Sequence, residues 1–191
     1  MVNRIVGAIC NALDELKYEY EQLDTELCRE VAFITSQELE NLYPRLTPKE
    51  RENIYTKEHK TVCIMQIGDV LASGQKHDGR APDYDDWKLN CDILFWHEPL
   101  ECAVEISSMG IRVDEEALAR QLKLSGCEDR ANLPFQKSLL NRETALHDRR
   151  GIGQSRICMY YLRKAHIGEV QSSLWPDDIY NCALEHGIQL L

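Results

Sequence analysis

The fold of this chain depends on residues 76–110, whose sequence is KHDGRAPDYDDWKLNCDILFWHEPLECAVEISSMG. The second half of this stretch holds two segments rich in β-branched and aromatic residues, Cys91–His97 and Glu101–Ser107. Glu98 and Pro99 lie between them, and such a pattern predicts a β-hairpin. The first half is dense in charge, with glycine and proline at turn positions, which is typical of a surface loop. The stretch therefore predicts a charged loop followed by a hairpin.

The register of this hairpin decides which side chains share a face. If Glu98 and Pro99 form a two-residue turn, Asp92 lies directly opposite Glu105, and opposed residues point to the same face. The expected acid face contains Asp92, Leu94, Trp96, Glu101, Ala103, Glu105 and Ser107. The expected core face contains Cys91, Ile93, Phe95, Cys102, Val104 and Ile106. One face should therefore be a core, while the other holds two acids.

The two opposed acids allow two interpretations. Carboxylates whose β-carbons lie about 5 Å apart repel one another, and a cation between them removes that cost. Mg²⁺ binds one or two carboxylates and completes its shell with water and nucleotide phosphates. Asp92 and Glu105 are thus candidate ligands of a magnesium-nucleotide site, or else two solvated acids on an exposed sheet face.

The composition limits the class of protein. With 191 residues, of which 43% are hydrophobic, we expect a single domain over residues 1–191. The formal net charge of −10 argues against a nucleic-acid partner, because gripping phosphates needs clustered lysine and arginine. The eight cysteines show neither CxxC nor zinc-ligand spacing. Since neither a secretory signal nor an apolar run of membrane length is evident, we expect a cytoplasmic chain without a membrane partner.

The remaining sequence predicts helices and strands around the hairpin. Residues 3–23 carry apolar side chains at helical spacing. Thr47–Glu50 is a capping box with proline at the first helical position, so a helix should run to about Lys60. The near-continuous apolar run Thr61–Ile67 predicts a central strand. Further expected elements are a strand at 31–34 and helices at 36–43, 115–124, 134–141 and 177–185. The expected fold is α/β in the broad (α+β) sense, an antiparallel sheet backed by helices.

Four motifs, in this order, resemble the ammonia-dependent asparagine synthetases, the aspartate-ammonia ligase family. They are HDGRAPDYDDW at 77–87, DILFW at 92–96, EISSMGIRVD at 105–114 and GIGQSR at 151–156. The resemblance covers nearly the whole chain and corresponds to the C-terminal half of the family enzyme. Because these enzymes are relatives of the class II aspartyl- and asparaginyl-tRNA synthetases, it implies a class II synthetase-like catalytic domain that is N-terminally truncated.

The resemblance also implies roles for individual residues. The implied aspartate-binding residues are Arg80, Tyr84, Asp85, Ser107 and Ser108. The implied nucleotide-binding residues are Asp92, Glu105, Gly153 and Arg156, of which Asp92 and Glu105 would hold Mg²⁺. Asp85 would hold the substrate ammonium, and Arg80 would pair with a substrate carboxylate in fork geometry. Arg156 would stabilise charge as pyrophosphate leaves, so Arg156 and Asp85 are the catalytic candidates.

Some residues depart from the family pattern or lack an implied role. Arg149 and Arg150 stand where glycines are expected before the last motif, and they would either clash with the nucleotide or reach its phosphates. Trp87 and Arg112 are interpreted as structural, and Gly110 as permitting a close backbone approach.

The implied activity is synthesis of asparagine from aspartate, ATP and ammonia through an aspartyl-adenylate, with AMP and pyrophosphate as co-products. In the family, the N-terminal half supplies further substrate contacts and the main dimer interface. We therefore expect little activity from this chain alone, and a requirement for a homodimer or a complementing N-terminal half. One alternative is a pseudoenzyme or binding module that binds nucleotide or aspartate without turnover. Another is a tRNA-synthetase fragment, which would need an anticodon-binding module or a basic surface.

Overall fold

Five strands form one sheet in this computed structural model, which describes residues 1–144 and 148–191, the side chains of residues 149 and 150 excepted. The strands are Ala32–Thr35 (β1), Thr61–Met65 (β2), Asp85–His97 (β3), Cys102–Arg112 (β4) and Asp148–Ile152 (β5). They lie side by side in chain order. β1 and β2 run parallel, and the other three neighbouring pairs are antiparallel. The expected sheet is thus confirmed, with one parallel pair at its edge.

The helices follow local signals in the sequence. They are Val2–Glu19 (α1), Ser36–Leu42 (α2), Pro48–His59 (α3), Glu115–Leu124 (α4), Pro134–Leu140 (α5), Gln154–Tyr161 (α6) and Asp177–Glu185 (α7). Thr35 and Thr47 both form complete capping boxes, and Asp114 accepts a hydrogen bond from the Ala117 amide. α1 ends at Glu19, short of the predicted residue 23, and Tyr20 leaves the helical conformation with a φ of −125° and a ψ of 86°. Within the described residues, no helix is both long and apolar enough to span a membrane.

Both faces of the sheet carry a core. On the predicted core face, Ile93, Phe95 and Ile106 pack against α1 and α6, which confirms that face. On the opposite face, Leu94 and Ala103 belong to a second apolar cluster with Ile64 of β2. That cluster also contains Leu39 of α2 and excludes water from one end of the sheet. The alternative of an exposed acid face therefore does not hold at this end, which α2 and α3 cover.

The hairpin register differs from the prediction. Residues 98–101, not two residues, connect β3 and β4, and Glu101 closes the turn with a φ of +47°. This shifts the register by two, so that Glu105 faces Leu94. Ile106 is then an extra residue, a β-bulge, and Asp92 faces Ser108. Direct opposition of Asp92 and Glu105 was wrong, but a shift of two leaves both acids on the same face.

Replacing Tyr161 by phenylalanine should lower the free energy of unfolding by about 1 kcal/mol. The Tyr161 hydroxyl donates a 2.6 Å hydrogen bond to the carbonyl of Ile9, which joins α6 to α1 in the buried cluster. Urea denaturation would measure the loss. Tyr18→Phe is the matched control, because Tyr18 lies on α1 with 89% of its surface exposed. Equal stability of wild type and Tyr161→Phe would contradict the prediction.

Candidate active site

The charged loop between β2 and β3 is held in place by buried polar side chains. The side-chain nitrogen of Asn90 donates to the Ile67 backbone carbonyl at 2.7 Å, and its side-chain oxygen accepts from the Ile67 backbone N–H at 2.8 Å. Gln121 of α4 donates to the carbonyls of Pro82 and Asp85 at 2.9 and 3.1 Å. These bonds satisfy backbone groups that the irregular chain would otherwise leave unpaired. The loop is consequently fixed where it meets the start of β3.

A small cavity of about 200 Å³ opens between this loop and the sheet. Four of the five residues that the resemblance implies for aspartate binding line it, namely Arg80, Tyr84, Asp85 and Ser108. The other lining residues are Gly79, Ala81 and Asn90. The volume is below the 300–1,000 Å³ of typical drug-sized sites, so it suits a ligand of amino-acid size.

The Asp85 side chain, which lines this cavity, lies directly against Gly110. A β-carbon on Gly110 would lie 2.8 Å from the Asp85 carboxyl carbon, so no larger residue fits there without displacing that carboxylate. Arg112 donates to Asp85 at 3.0 Å, and its guanidinium carbon lies 3.5 Å from the centre of the Tyr84 ring. This contact combines a salt bridge with a cation–π interaction. Arg112, interpreted as structural from the sequence, thus holds two residues of the cavity wall.

Asp92 lies beside the cavity and is paired with Arg80. Its carboxylate accepts a hydrogen bond from the Arg80 guanidinium and forms another hydrogen bond with the Ser108 side chain. Only 8% of Asp92 is exposed. Burial raises the pKa of the Asp92 carboxyl to about 6 despite the opposing Arg80 charge, and the Glu105 carboxylate adds to the rise. A cation next to Asp92 therefore stabilises the charged form of this buried carboxylate.

Glu105 forms a second pair with Arg156, which lies in the first turn of α6. The Arg156 guanidinium lies 3.1 Å from the Glu105 carboxylate and donates to the Glu105 carbonyl at 3.0 Å. Gly153 is the N-cap of this helix, and its backbone N–H donates to the carbonyl of the bulged Ile106 at 2.9 Å. A β-carbon on Gly153 would lie 3.3 Å from the Arg156 side chain. The glycine therefore leaves room for Arg156 beside Glu105.

Ser107 is separated from the other predicted substrate residues. The bulge at Ile106 turns it toward the opposite face, where it pairs with Ile93. Its hydroxyl donates to the Gly151 carbonyl at 2.7 Å, and the residue is buried. This bond ties β4 to β5, and it does not reach the cavity. The effect predicted for Arg149 and Arg150 concerns side chains outside the described part of the chain.

The donor set fits a hard divalent cation. Asp92 and Glu105 lie on one face of the sheet, and each carboxylate already binds a guanidinium cation. Among the described residues, no cluster of three or more metal-ligating side chains occurs. Mg²⁺ needs only one or two carboxylates from a protein and takes its other ligands from water and phosphate.

A larger cavity of about 350 Å³ lies at the far end of the hairpin, beside Trp96 and Tyr160. Its cations are already paired, since Lys60 binds Glu98 at 3.0 Å and Arg163 lies 3.7 Å from Asp24. None of the predicted site residues lines it. Volume alone is therefore a poor guide here, and the chemistry is concentrated at the smaller cavity.

Sequence comparison identifies the family of the chain. The family model described as aspartate-ammonia ligase matches residues 1–187. The chain is 54% identical over 191 residues to an aspartate-ammonia ligase of Ruminiclostridium cellulolyticum, covering 100% of this chain and 57% of the relative. It is 56% identical over 178 residues to that of Ligilactobacillus salivarius, covering 93% of this chain and 53% of the relative. The chain thus spans little more than half the length of these relatives.

Two solved aminoacyl-tRNA synthetases have the same fold. Asparaginyl-tRNA synthetase from Pyrococcus horikoshii matches 90% of this chain and 45% of its own with a TM-score of 0.60 at 18% identity. Aspartyl-tRNA synthetase from Entamoeba histolytica matches 89% of this chain and 39% of its own with a TM-score of 0.58 at 16% identity. This confirms the class II synthetase-like fold. The sequence matches are far closer, and by them the chain belongs to the aspartate-ammonia ligase family.

Proposed function

We propose that this chain carries the aspartate- and ATP-binding part of an aspartate-ammonia ligase that makes asparagine, AMP and pyrophosphate, in the cytoplasm. The observation that carries the proposal is the convergence of Arg80, Tyr84, Asp85 and Ser108 on one small cavity beside Asp92. Family membership supports the same reaction. Ammonia is the nitrogen donor.

Aspartate would bind through groups of opposite charge. The Asp85 carboxylate holds the substrate ammonium, and the Arg80 guanidinium pairs with a substrate carboxylate in fork geometry. The Tyr84 ring walls the pocket, and the Ser108 hydroxyl supplies a further hydrogen bond. Fixing the substrate at several points in this way supplies much of the rate enhancement, because the reacting carboxylate is held in line with the nucleotide.

The chemistry then proceeds in two displacements. An oxygen of the aspartate side-chain carboxylate attacks the α-phosphorus of ATP, and the bond to pyrophosphate breaks. Arg156 stabilises the charge that develops as pyrophosphate leaves, and Gly153 lets the backbone lie close to the nucleotide. Ammonia next attacks the acyl carbon of the aspartyl-adenylate, AMP departs, and the new amide nitrogen loses a proton. Mg²⁺ held by Asp92 and Glu105 would neutralise phosphate charge during the first displacement.

Activity should require more than this chain. This chain covers 57% of a relative's length, and we propose that a homodimer or a complementing N-terminal half completes the site. Within the described residues, β5 pairs only with β4, and its Ile152 is nearly half exposed, which leaves an edge that a further strand would cover. If no further strand covers this edge, the incomplete site favours the alternative, a binding module that takes up aspartate or nucleotide without turnover.

Exchange of labelled pyrophosphate into ATP tests the proposal, because it reports adenylate formation before ammonia acts. The assay would compare the purified chain with the chain mixed with the part of a relative that it does not match. We expect aspartate-dependent exchange in the mixture and much slower exchange by the chain alone. Aspartate binding without exchange in either sample would support the binding module instead.

Replacing Arg112 by alanine should weaken aspartate binding by roughly tenfold, about 1.4 kcal/mol. The change removes the salt bridge to Asp85 and the stacking on Tyr84, so both walls of the cavity lose their support. Calorimetric titration with aspartate would measure the effect. Arg120→Ala is the matched control, because Arg120 is about as exposed as Arg112, but its aspartate partners, Asp69 and Asp86, do not line the cavity. Equal losses in the two variants would contradict the role of Arg112.

A further inference from the structure

The Arg80 guanidinium already has two carboxylate partners within the chain. One of its terminal nitrogens binds Asp92, and the other lies 3.3 Å from Asp78. In the proposed reaction, however, Arg80 is the partner of a substrate carboxylate, and Asp92 is a ligand of the nucleotide's cation. Arg80 and Asp92 are therefore paired with each other here, whereas the proposed reaction requires Arg80 to bind aspartate and Asp92 to bind the nucleotide's cation.

Separating this pair has an energetic consequence. The Asp92 side chain is 11% exposed and that of Arg80 is 26% exposed, so neither charge is freely hydrated once its partner leaves. Removing one member of a part-buried pair is costly, because the other charge is left uncompensated. Aspartate that enters alone must take Arg80 from Asp92 and leave that carboxylate unpaired. Aspartate that enters after the nucleotide's cation has engaged Asp92 avoids this cost.

We propose that the Arg80–Asp92 pair couples the two substrates, so that a magnesium-bound nucleotide releases Arg80 and increases the affinity for aspartate. This inference rests on the proposed function and names how its site is regulated. By linkage, aspartate increases the affinity for the magnesium-bound nucleotide by the same factor. Simple charge repulsion predicts the opposite sign, because the substrate carboxylate must approach a phosphate of like charge.

The Arg120–Asp86 pair provides an internal control. It has the same charges, and its side chains are 29% and 14% exposed, close to the 26% and 11% of Arg80 and Asp92. Neither residue lines the aspartate cavity or has a role in the proposed reaction. Neutralising Asp86 therefore removes one negative charge near the site without releasing Arg80.

The test is calorimetric binding of aspartate to the chain with and without Mg²⁺ and α,β-methylene-ATP, an analogue that cannot release pyrophosphate. For the wild type, we expect the nucleotide to tighten aspartate binding at least about fivefold, the lower end of typical couplings. Asp92→Asn should bind aspartate more tightly than the wild type without nucleotide, and should gain little when nucleotide is added. Asp86→Asn should bind aspartate as weakly as the wild type without nucleotide.

The outcomes separate the coupling from the proposed function. If wild type and Asp92→Asn bind aspartate equally well, and nucleotide changes neither, the coupling is refuted and the proposed function stands. If Asp92→Asn and Asp86→Asn both tighten binding equally, general charge removal explains the gain, and the coupling through Arg80 is refuted. A further outcome is that aspartate binds neither the wild type nor any variant, even with saturating magnesium and nucleotide and with the complementing part of a relative. That result would refute both the coupling and the proposed function.

Discussion

Replacing Arg156 by alanine should slow aspartate-dependent pyrophosphate exchange by about 10²–10³-fold, the usual effect of removing one preorganised charge-stabilising group. Arg156 lies at the start of α6 beside Glu105, and Gly153 leaves it room to turn toward a ligand. Because nearly half of its side chain is exposed, it contributes little to folding, and its pair with Glu105 is worth at most about 1 kcal/mol. The variant should therefore lose rate while keeping its thermal stability.

Arg156→Lys distinguishes charge from geometry at this position. Lysine keeps the positive charge but loses the planar fork of donors, so it should recover only part of the rate. The measurement is the exchange rate at saturating aspartate and ATP, made in whichever assembly of the chain is active. An alanine variant that exchanges pyrophosphate as fast as the wild type would remove Arg156 from the mechanism.

Replacing Gly110 by alanine should abolish measurable aspartate binding and lower the free energy of unfolding by about 1–3 kcal/mol. The new β-carbon would lie within 3 Å of three Asp85 side-chain atoms. To relieve that contact, the Asp85 carboxylate must move, which breaks its bond to Arg112 and removes the partner of the substrate ammonium. Both binding and folding should suffer from a single added methyl group.

Gly79→Ala is the matched control for this substitution. Gly79 lines the cavity, but a β-carbon there would meet no atom within 4 Å. Binding should therefore stay within about twofold of the wild type, and stability should be unchanged or slightly higher. Calorimetry and urea denaturation on both variants test the pair. Normal aspartate binding by Gly110→Ala would show that Asp85 does not hold the substrate.

The sequence predicted local structure well because the signals are local. The capping boxes at Thr35 and Thr47 satisfy helix-terminal groups with side chains only three residues away, so their helices could be located from the sequence alone. The core face of the hairpin was predicted from alternating apolar residues, which require no knowledge of distant partners. The resemblance of four motifs then added the cavity residues Arg80, Tyr84, Asp85 and Ser108.

Features that depend on distant contacts were not predictable in this way. The bulge at Ile106 is held by a hydrogen bond from Gly153, and it turns Ser107 away from Ser108. The longer turn had already shifted the predicted register by two, and the bulge, which leaves no local pattern, shifts it by one more beyond Ile106. The role of Arg112 was missed for the same reason. A charged residue two positions after Gly110, in a motif that also contains Ser108, was the available signal.

The most direct test is to supply aspartate, ATP, Mg²⁺ and ¹⁵N-labelled ammonium to the chain together with the complementing part of a relative, and to quantify the products. We predict labelled asparagine, AMP and pyrophosphate in equal amounts, and none of them when Asp92→Asn replaces the wild-type chain. A well-folded mixture that binds aspartate and nucleotide yet forms no asparagine, or that converts ATP to ADP, would contradict the proposed ligase.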